Sequence, residues 1–291
     1  MFEDIWLPEF LFVYLRRKKI KVMTNSKIEK IKIVKRGRPS KTPIHQIFNP
    51  SSIKLVRGYE LSFNESLFKP MKTNREIDVI LSTEGGLMPG TNMMLAGGPG
   101  SGKSTIALDM LADYTRQGLK CLFVSGEMDE IAHYKYCKRL SKFDCVQTLF
   151  LKNYSSTVKE TLEYIFNEGY DVIAIDSIAE VLEMYKDTYR TTESAAEFWF
   201  LNLQDQHKKG GNSKNYYTTF INIQQMTKAG DFAGSNRLKH MVDAFCHVER
   251  SKDSLARSLH FSKNRDCDKD FKMYFTIYND SIHYSYETTN D

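Results

Sequence analysis

Residues 97–105 read GGPGSGKST, a glycine-rich run closing on Lys103, Ser104 and Thr105. This is the pattern G-x-x-x-x-G-K-[ST], and each position in it has a chemical reason. Gly97, Gly98, Gly100 and Gly102, with Pro99 and Ser101 among them, let backbone N–H groups turn inward around phosphates where a Cβ would obstruct. Lys103 is a point charge for the β- and γ-phosphates, and the Ser104 hydroxyl is a ligand for Mg²⁺. A helix starting here adds the positive end of its dipole. The expected ligands are ATP and Mg²⁺, and the expected chemistry is hydrolysis of ATP.

Such a site needs a second anchor for Mg²⁺ and a group that orients the attacking water. Asp176 ends the apolar run DVIAI and suits the magnesium side. The next residue is Ser177 rather than a glutamate, so the water-orienting acid must come from elsewhere. Glu127 follows a strand that ends in Val124-Ser125-Gly126. With that strand beside the phosphate-loop strand, Glu127 would face the γ-phosphate as general base. This placement points to the RecA-like branch of P-loop ATPases.

The elements that must hold these groups follow from hydrophobic patterning. Apolar runs at 93–96, 120–125, 171–175 and 218–223 read as buried strands, and helical stretches are expected at 103–117, 129–140, 158–168 and 193–208. A polar stretch is expected at 183–192. Beyond Ala244 the pattern alternates in short runs at 244–249, 258–262, 272–278 and 281–286, as hairpins do. Strands separated by helices, then antiparallel strands, predict an α/β fold with a mostly parallel sheet and a C-terminal hairpin extension.

Residues 84–105 (EGGLMPGTNMMLAGGPGSGKST), 123–127 (FVSGE), 227–243 (TKAGDFAGSNRLKHMVD) and the triplet Lys263-Asn264-Arg265 resemble the ATPase core of the bacterial RadA/Sms recombination proteins. The resemblance covers about residues 75–285 in the family's order. It implies a RecA-like, DNA-dependent ATPase that acts on single-stranded or branched recombination intermediates as a ring (a hexamer) or a filament, alongside a recombinase. It further implies that Lys263 and Arg265 reach a neighbour's γ-phosphate and that Gln225, at a strand end, senses the γ-phosphate. DnaB-type replicative helicases and KaiC-type ATPases are similar in the same core, leaving a helicase or an ATP-driven oligomeric switch as alternatives. The chain departs from the RadA/Sms pattern in lacking the four-cysteine zinc module and the C-terminal protease-like domain. Asp266-Cys267 also stands where that family has Phe-Gly. A compact, phage-type relative fits this layout.

Candidate nucleic-acid contacts are Lys228, Arg237 and Lys239 in a glycine-containing stretch, where flexibility and cations suit a single-strand backbone. Lys186 and Arg190, with Tyr189 between them, form a second set. A third lies in the arm expected over 1–75, ahead of the ATPase domain expected over 76–291. Its stretch 35–41, KRGRPSK, is AT-hook-like, with Arg36 and Arg38 suited to a narrow minor groove.

The formal net charge of +5, from 41 Lys+Arg against 36 Asp+Glu, is too mild to identify a nucleic-acid binder. The stretch between Arg16 and Lys41, where Glu29 is the single acid, carries more than the whole excess, so the rest of the chain is slightly acidic. None of the five cysteines is spaced as in a zinc knuckle, and their odd number fits reduced thiols in the cytoplasm, or a host's cytoplasm for a phage protein. The apolar run at 5–15 is too short to span a bilayer, and its cations follow it, contrary to a signal peptide. Residues 1–22 read as a dispensable extension, and no membrane association is expected.

Overall fold

The computed structural model describes residues 54–226, 236–251, 256–267 and 272–286, with backbone alone at Asn236 and Arg237. The chain divides into two units, Met1–Gly58 and Tyr59–Asp291. Arg36, Arg38 and Lys228 lie outside the described residues.

The second unit is built on one nine-stranded sheet: β1 (Asn92–Gly97), β2 (Cys121–Ser125), β3 (Gln147–Phe150), β4 (Val172–Asp176), β5 (Thr219–Gln225), β6 (Ala244–Arg250), β7 (Arg257–Asn264), β8 (Met273–Ile277) and β9 (Ile282–Tyr286). Their order across the sheet is β3-β2-β4-β5-β1-β6-β7-β8-β9. Pairing is parallel from β3 through β6 and antiparallel from β6 through β9. The α/β class and the antiparallel extension agree with the reading of the sequence. The strand order corrects one expectation: β2 pairs with β3 and β4, so β4 and β5 separate it from β1.

Both faces of the parallel part are covered, which explains why its strands are apolar throughout rather than alternating. Met93 and Leu95 of β1 enter one core with Ile106, Leu108 and Leu111 of α2 (Lys103–Arg116). Met94 and Ala96 enter the other, with residues of α4 (Val158–Asn167), α5 (Ile178–Tyr189) and α6 (Glu193–Lys208). A four-residue α1 (Asp78–Leu81) precedes the sheet, α3 (Glu130–Arg139) follows β2, and α7 (Asn236–Met241) precedes β6. Local sequence sets the ends. The Asp129 carboxylate accepts the Ala132 N–H at 2.7 Å to start α3, and the Thr192 hydroxyl accepts the Ala195 N–H at 3.3 Å to start α6.

Helix α5 adds an element the sequence reading did not name, because it runs through most of the stretch read as polar. Its cause is a stripe at helical spacing: Ile178, Val181 and Leu182 are buried, and Tyr185 and Tyr189 pack against the same core. Arg190, at φ 48°, ends it.

Candidate functional site

The phosphate loop joins β1 to α2 at the carboxyl edge of the sheet, where open α/β sheets place their ligands. Two of its glycines are fixed by geometry. A Cβ on Gly97 would lie 2.2 Å from the Val248 carbonyl oxygen of β6, so only glycine lets the two strands approach. Gly102 has φ 105°, and a Cβ there would crowd Ile277, Arg257 and Phe275. Gly102 also stands at the N-cap of α2 with no side chain to accept the first N–H groups. The helix start is thus open to an anionic acceptor.

Lys103 is buried, and its ammonium donates to the Gly97 and Gly98 carbonyls, both at 2.9 Å. Burial lowers its pKa, with Asp176 and Glu127 opposing the effect. Asp176, 3 % exposed, is pushed up to about 6, chiefly by burial and further by the Glu127 charge, while the Ser104 hydroxyl donates a hydrogen bond to it. Two hard oxygens, one neutral and one anionic, are therefore adjacent, and the carboxylate is under-compensated. That donor set fits Mg²⁺. Ser104 and Asp176 would hold the ion, which when bound would neutralise phosphate charge.

Although β2 is two strands removed from β1, Glu127 reaches the cleft. The Gly126 and Glu127 N–H groups both donate to the Asp176 carbonyl, at 2.6 and 3.2 Å, which folds the β2 end over the β4 end. Gln225, ending β5, then donates from Nε2 to Glu127 Oε1 at 3.1 Å. Glu127, Gln225, Lys103, Ser104, Thr105 and Asp176 all line one cleft of about 390 Å³.

Lys263 and Arg265 are not in that cleft. The Lys263 ammonium donates to the His240 and Val242 carbonyls, and Arg265 pairs with Asp243 at 2.8 Å while staying 63 % exposed. Asp243 also accepts the Asn92 N–H, so this group sits at the amino edge of the sheet, the end of β1 away from Gly97. The six residues of β1 separate the edges by about 17 Å at a rise of about 3.3 Å per residue. Neither cation can serve the phosphate loop of its own chain.

Sequence reading missed the far wall of the cleft. Tyr136 and Arg139, one turn apart on α3, line the cleft together with Arg257 at the start of β7 and Tyr278 and Asn279 in the β8–β9 turn. The Arg139 guanidinium lies 5.2 Å over the Tyr136 ring. Burial lowers the pKa of Arg257, and the charges of Arg250 and Arg139 lower it further, so cations converge here as a polyanion would require. Only the i, i+3 spacing of Tyr136 and Arg139 was visible in the sequence; the register that brings β7 and β8 beside the loop was not.

Of the expected nucleic-acid contacts, Lys186 shares a pocket of about 230 Å³ with Glu183, Glu193 and the buried Glu197. Lys239 sits 5.2 Å over the Phe245 ring.

A sequence model of the KaiC ATPase family matches residues 72–287. The chain belongs to that family. Among proteins of known name, the DNA repair protein RadA of Campylobacter jejuni is 31% identical over 192 residues, covering 66% of this chain and 41% of that one. RadA of Listeria monocytogenes is 29% identical over 232 residues, covering 79% and 45%. This chain thus spans less than half the length of either. Among solved structures, the flagellar accessory protein FlaH of Methanocaldococcus jannaschii has a TM-score of 0.56 at 12% identity, over 75% of this chain and 100% of that one. A KaiC-like protein of Pyrococcus horikoshii has a TM-score of 0.56 at 16% identity, over 75% and 99%. The KaiC-family chain described here therefore carries a RecA-like ATPase domain. Among its described residues no helix is long and apolar enough to cross a membrane.

Proposed function

We propose that this chain is a DNA-stimulated ATPase of the RadA type, hydrolysing ATP at sites completed by a neighbouring copy and acting on single-stranded or branched DNA. The observation that carries the ATPase part is the convergence of Lys103, Ser104, Asp176, Glu127 and Gln225 on one cleft from the ends of three strands and one helix. Lys103 would leave the Gly97 and Gly98 carbonyls for the β- and γ-phosphates, and the N–H groups at the α2 start would take the phosphate oxygens. Glu127, oriented by the Gln225 amide, would accept the proton of the attacking water. Tyr136 and Arg139 would flank the nucleoside on one side and Tyr278 and Asn279 on the other. Lys263 and Arg265, excluded from their own cleft, would act on the next copy's γ-phosphate.

The DNA part rests on likeness to proteins named for DNA repair. The deciding experiment measures ATPase rate with and without single-stranded DNA at two salt concentrations. Stimulation that weakens with salt is expected. Turnover unaffected by DNA at low salt would sink this reading and favour an ATP-driven oligomeric switch, which membership of the KaiC family also supports.

A further inference from the structure

A second groove, of about 590 Å³, opens at the amino edge of the sheet, remote from the phosphate loop. Its walls come from segments that enter strands: Pro89 ahead of β1, Leu119 ahead of β2, Asp171 ahead of β4 and Tyr217 ahead of β5. The chain at 64–74 closes the remaining side.

Lys69, Lys72 and Lys214, all exposed, stand on its rim. The groove's acid, Asp171, is already engaged, accepting the Lys120 N–H at 2.7 Å. The Lys120 side chain stacks 4.1 Å over the Tyr170 ring and lies close enough to Lys214 to feel its charge. Cations thus outnumber acids there. The half-buried Tyr216 and Tyr217 line the same groove. Asn74 and Asn215, at φ 60° and 57°, also line it. A cationic concavity with aromatic faces and amides is the chemistry that takes unpaired nucleotides, with phosphates on the lysines and bases on the rings. A duplex would offer no base face to the tyrosines.

We propose that this amino-edge groove, built on Lys69, Lys72, Lys214, Tyr216 and Tyr217, binds single-stranded nucleic acid. It does not depend on the loop and arm cations expected from the sequence. It deepens the DNA-dependent reading by naming where the strand lies, yet binding here is separable from stimulation of turnover.

The test uses the full chain and a short fluorescent oligothymidylate. Charge reversal at K69E, K72E and K214E together should weaken binding at least tenfold. It should also reduce the dependence of log affinity on log salt by about 2, as loss of three phosphate contacts requires. Y216A should weaken binding roughly fivefold to a hundredfold, the range for one lost base stack. Both variants should still bind a fluorescent ATP analogue like the parent, which shows that they fold. Photo-cross-links from iodouracil-substituted strands should map to the peptide holding Tyr216 and Tyr217. Unchanged affinity and salt slope in the triple variant, with cross-links elsewhere, would overturn the groove while leaving DNA-stimulated turnover intact as a reading. Lost binding in the variants of a protein whose ATPase ignores DNA would support the groove and sink the motor. Equal competition by polyglutamate, charge for charge, would reassign the groove to acidic peptides and overturn the proposal.

Discussion

Asp176 carries the clearest tension at the level of single residues. Its pKa of about 6 against an ordinary 3.8 means that, between those two values of pH, the folded, ion-free protein holds a proton which the unfolded chain releases. For this group, stability is fully present below the ordinary value and is lost as pH rises through about 6. A shift of this size corresponds to about 3 kcal/mol at neutral pH, as an upper bound. Asp176→Asn should therefore raise the melting temperature of the ion-free protein at pH 7, by a margin that shrinks at pH 5, while abolishing Mg²⁺-dependent turnover. No pH dependence in that margin would show that burial does not set the charge state. Conversely, Mg²⁺-dependent ATP binding by the parent should weaken as pH falls below about 6, as a titration across that range would reveal. Glu127→Gln should bind ATP normally and lose roughly a hundredfold or more in turnover, since general-base contributions run to about 10²–10⁴. Retained hydrolysis would remove Glu127 from the role.

At the level of elements, α2 is held by more than its apolar face. Asp109, nearly fully buried on that helix, pairs with Arg75 and Lys142 and accepts the Tyr284 hydroxyl at 3.0 Å. One carboxylate thereby joins the entry segment, the turn after α3 and β9 to the helix that follows the phosphate loop. Removing it leaves Arg75 and Lys142 to share Asp113 alone and the buried Tyr284 hydroxyl without its acceptor, so Asp109→Ala should cost about 1–3 kcal/mol in chemical denaturation. A loss below about 1 kcal/mol would mean that the surface pairs well enough with water. Gly102→Ala should be milder in stability and harsher in function, because it strains a positive φ and crowds the side chains of Ile277, Arg257 and Phe275 beside the loop. The sequence revealed this loop, its strand and its helix to within a residue at each end, since glycine and lysine spacing carry their own chemistry. It did not disclose α5, whose hydrophobic stripe spans residues with mostly polar neighbours.

At the level of the whole molecule, the sequence did not disclose which strand lies beside which. Glu127 was singled out for a strand thought to adjoin β1; it reaches the cleft instead by folding over β4, through backbone hydrogen bonds that no side-chain pattern announces. The register of β6 to β9, which supplies Arg257, Tyr278 and Asn279, was equally silent, because antiparallel pairings depend on turns whose lengths permit several registers. The placement of Lys263 and Arg265 at the edge opposite the phosphate loop yields a mixing prediction. A Lys103→Ala chain and an Arg265→Glu chain, each expected to be inactive alone, should regain part of the turnover when combined, as mixed neighbours form some sites with both parts intact. Activity that fails to return, or Arg265→Glu activity that equals the parent's, would confine the pair to its contacts with Asp243 and the α7 end.

The same two edges make each subunit polar, with a donor end and an acceptor end. If the cations do complete the next copy's site, copies added head to tail leave one acceptor unfilled at the end of every open row, and closing the row into a circle removes that defect. Turnover per subunit would then rise with row length and level off on closure, so a dilution series of ATPase rate would report on the geometry of assembly without an image of it.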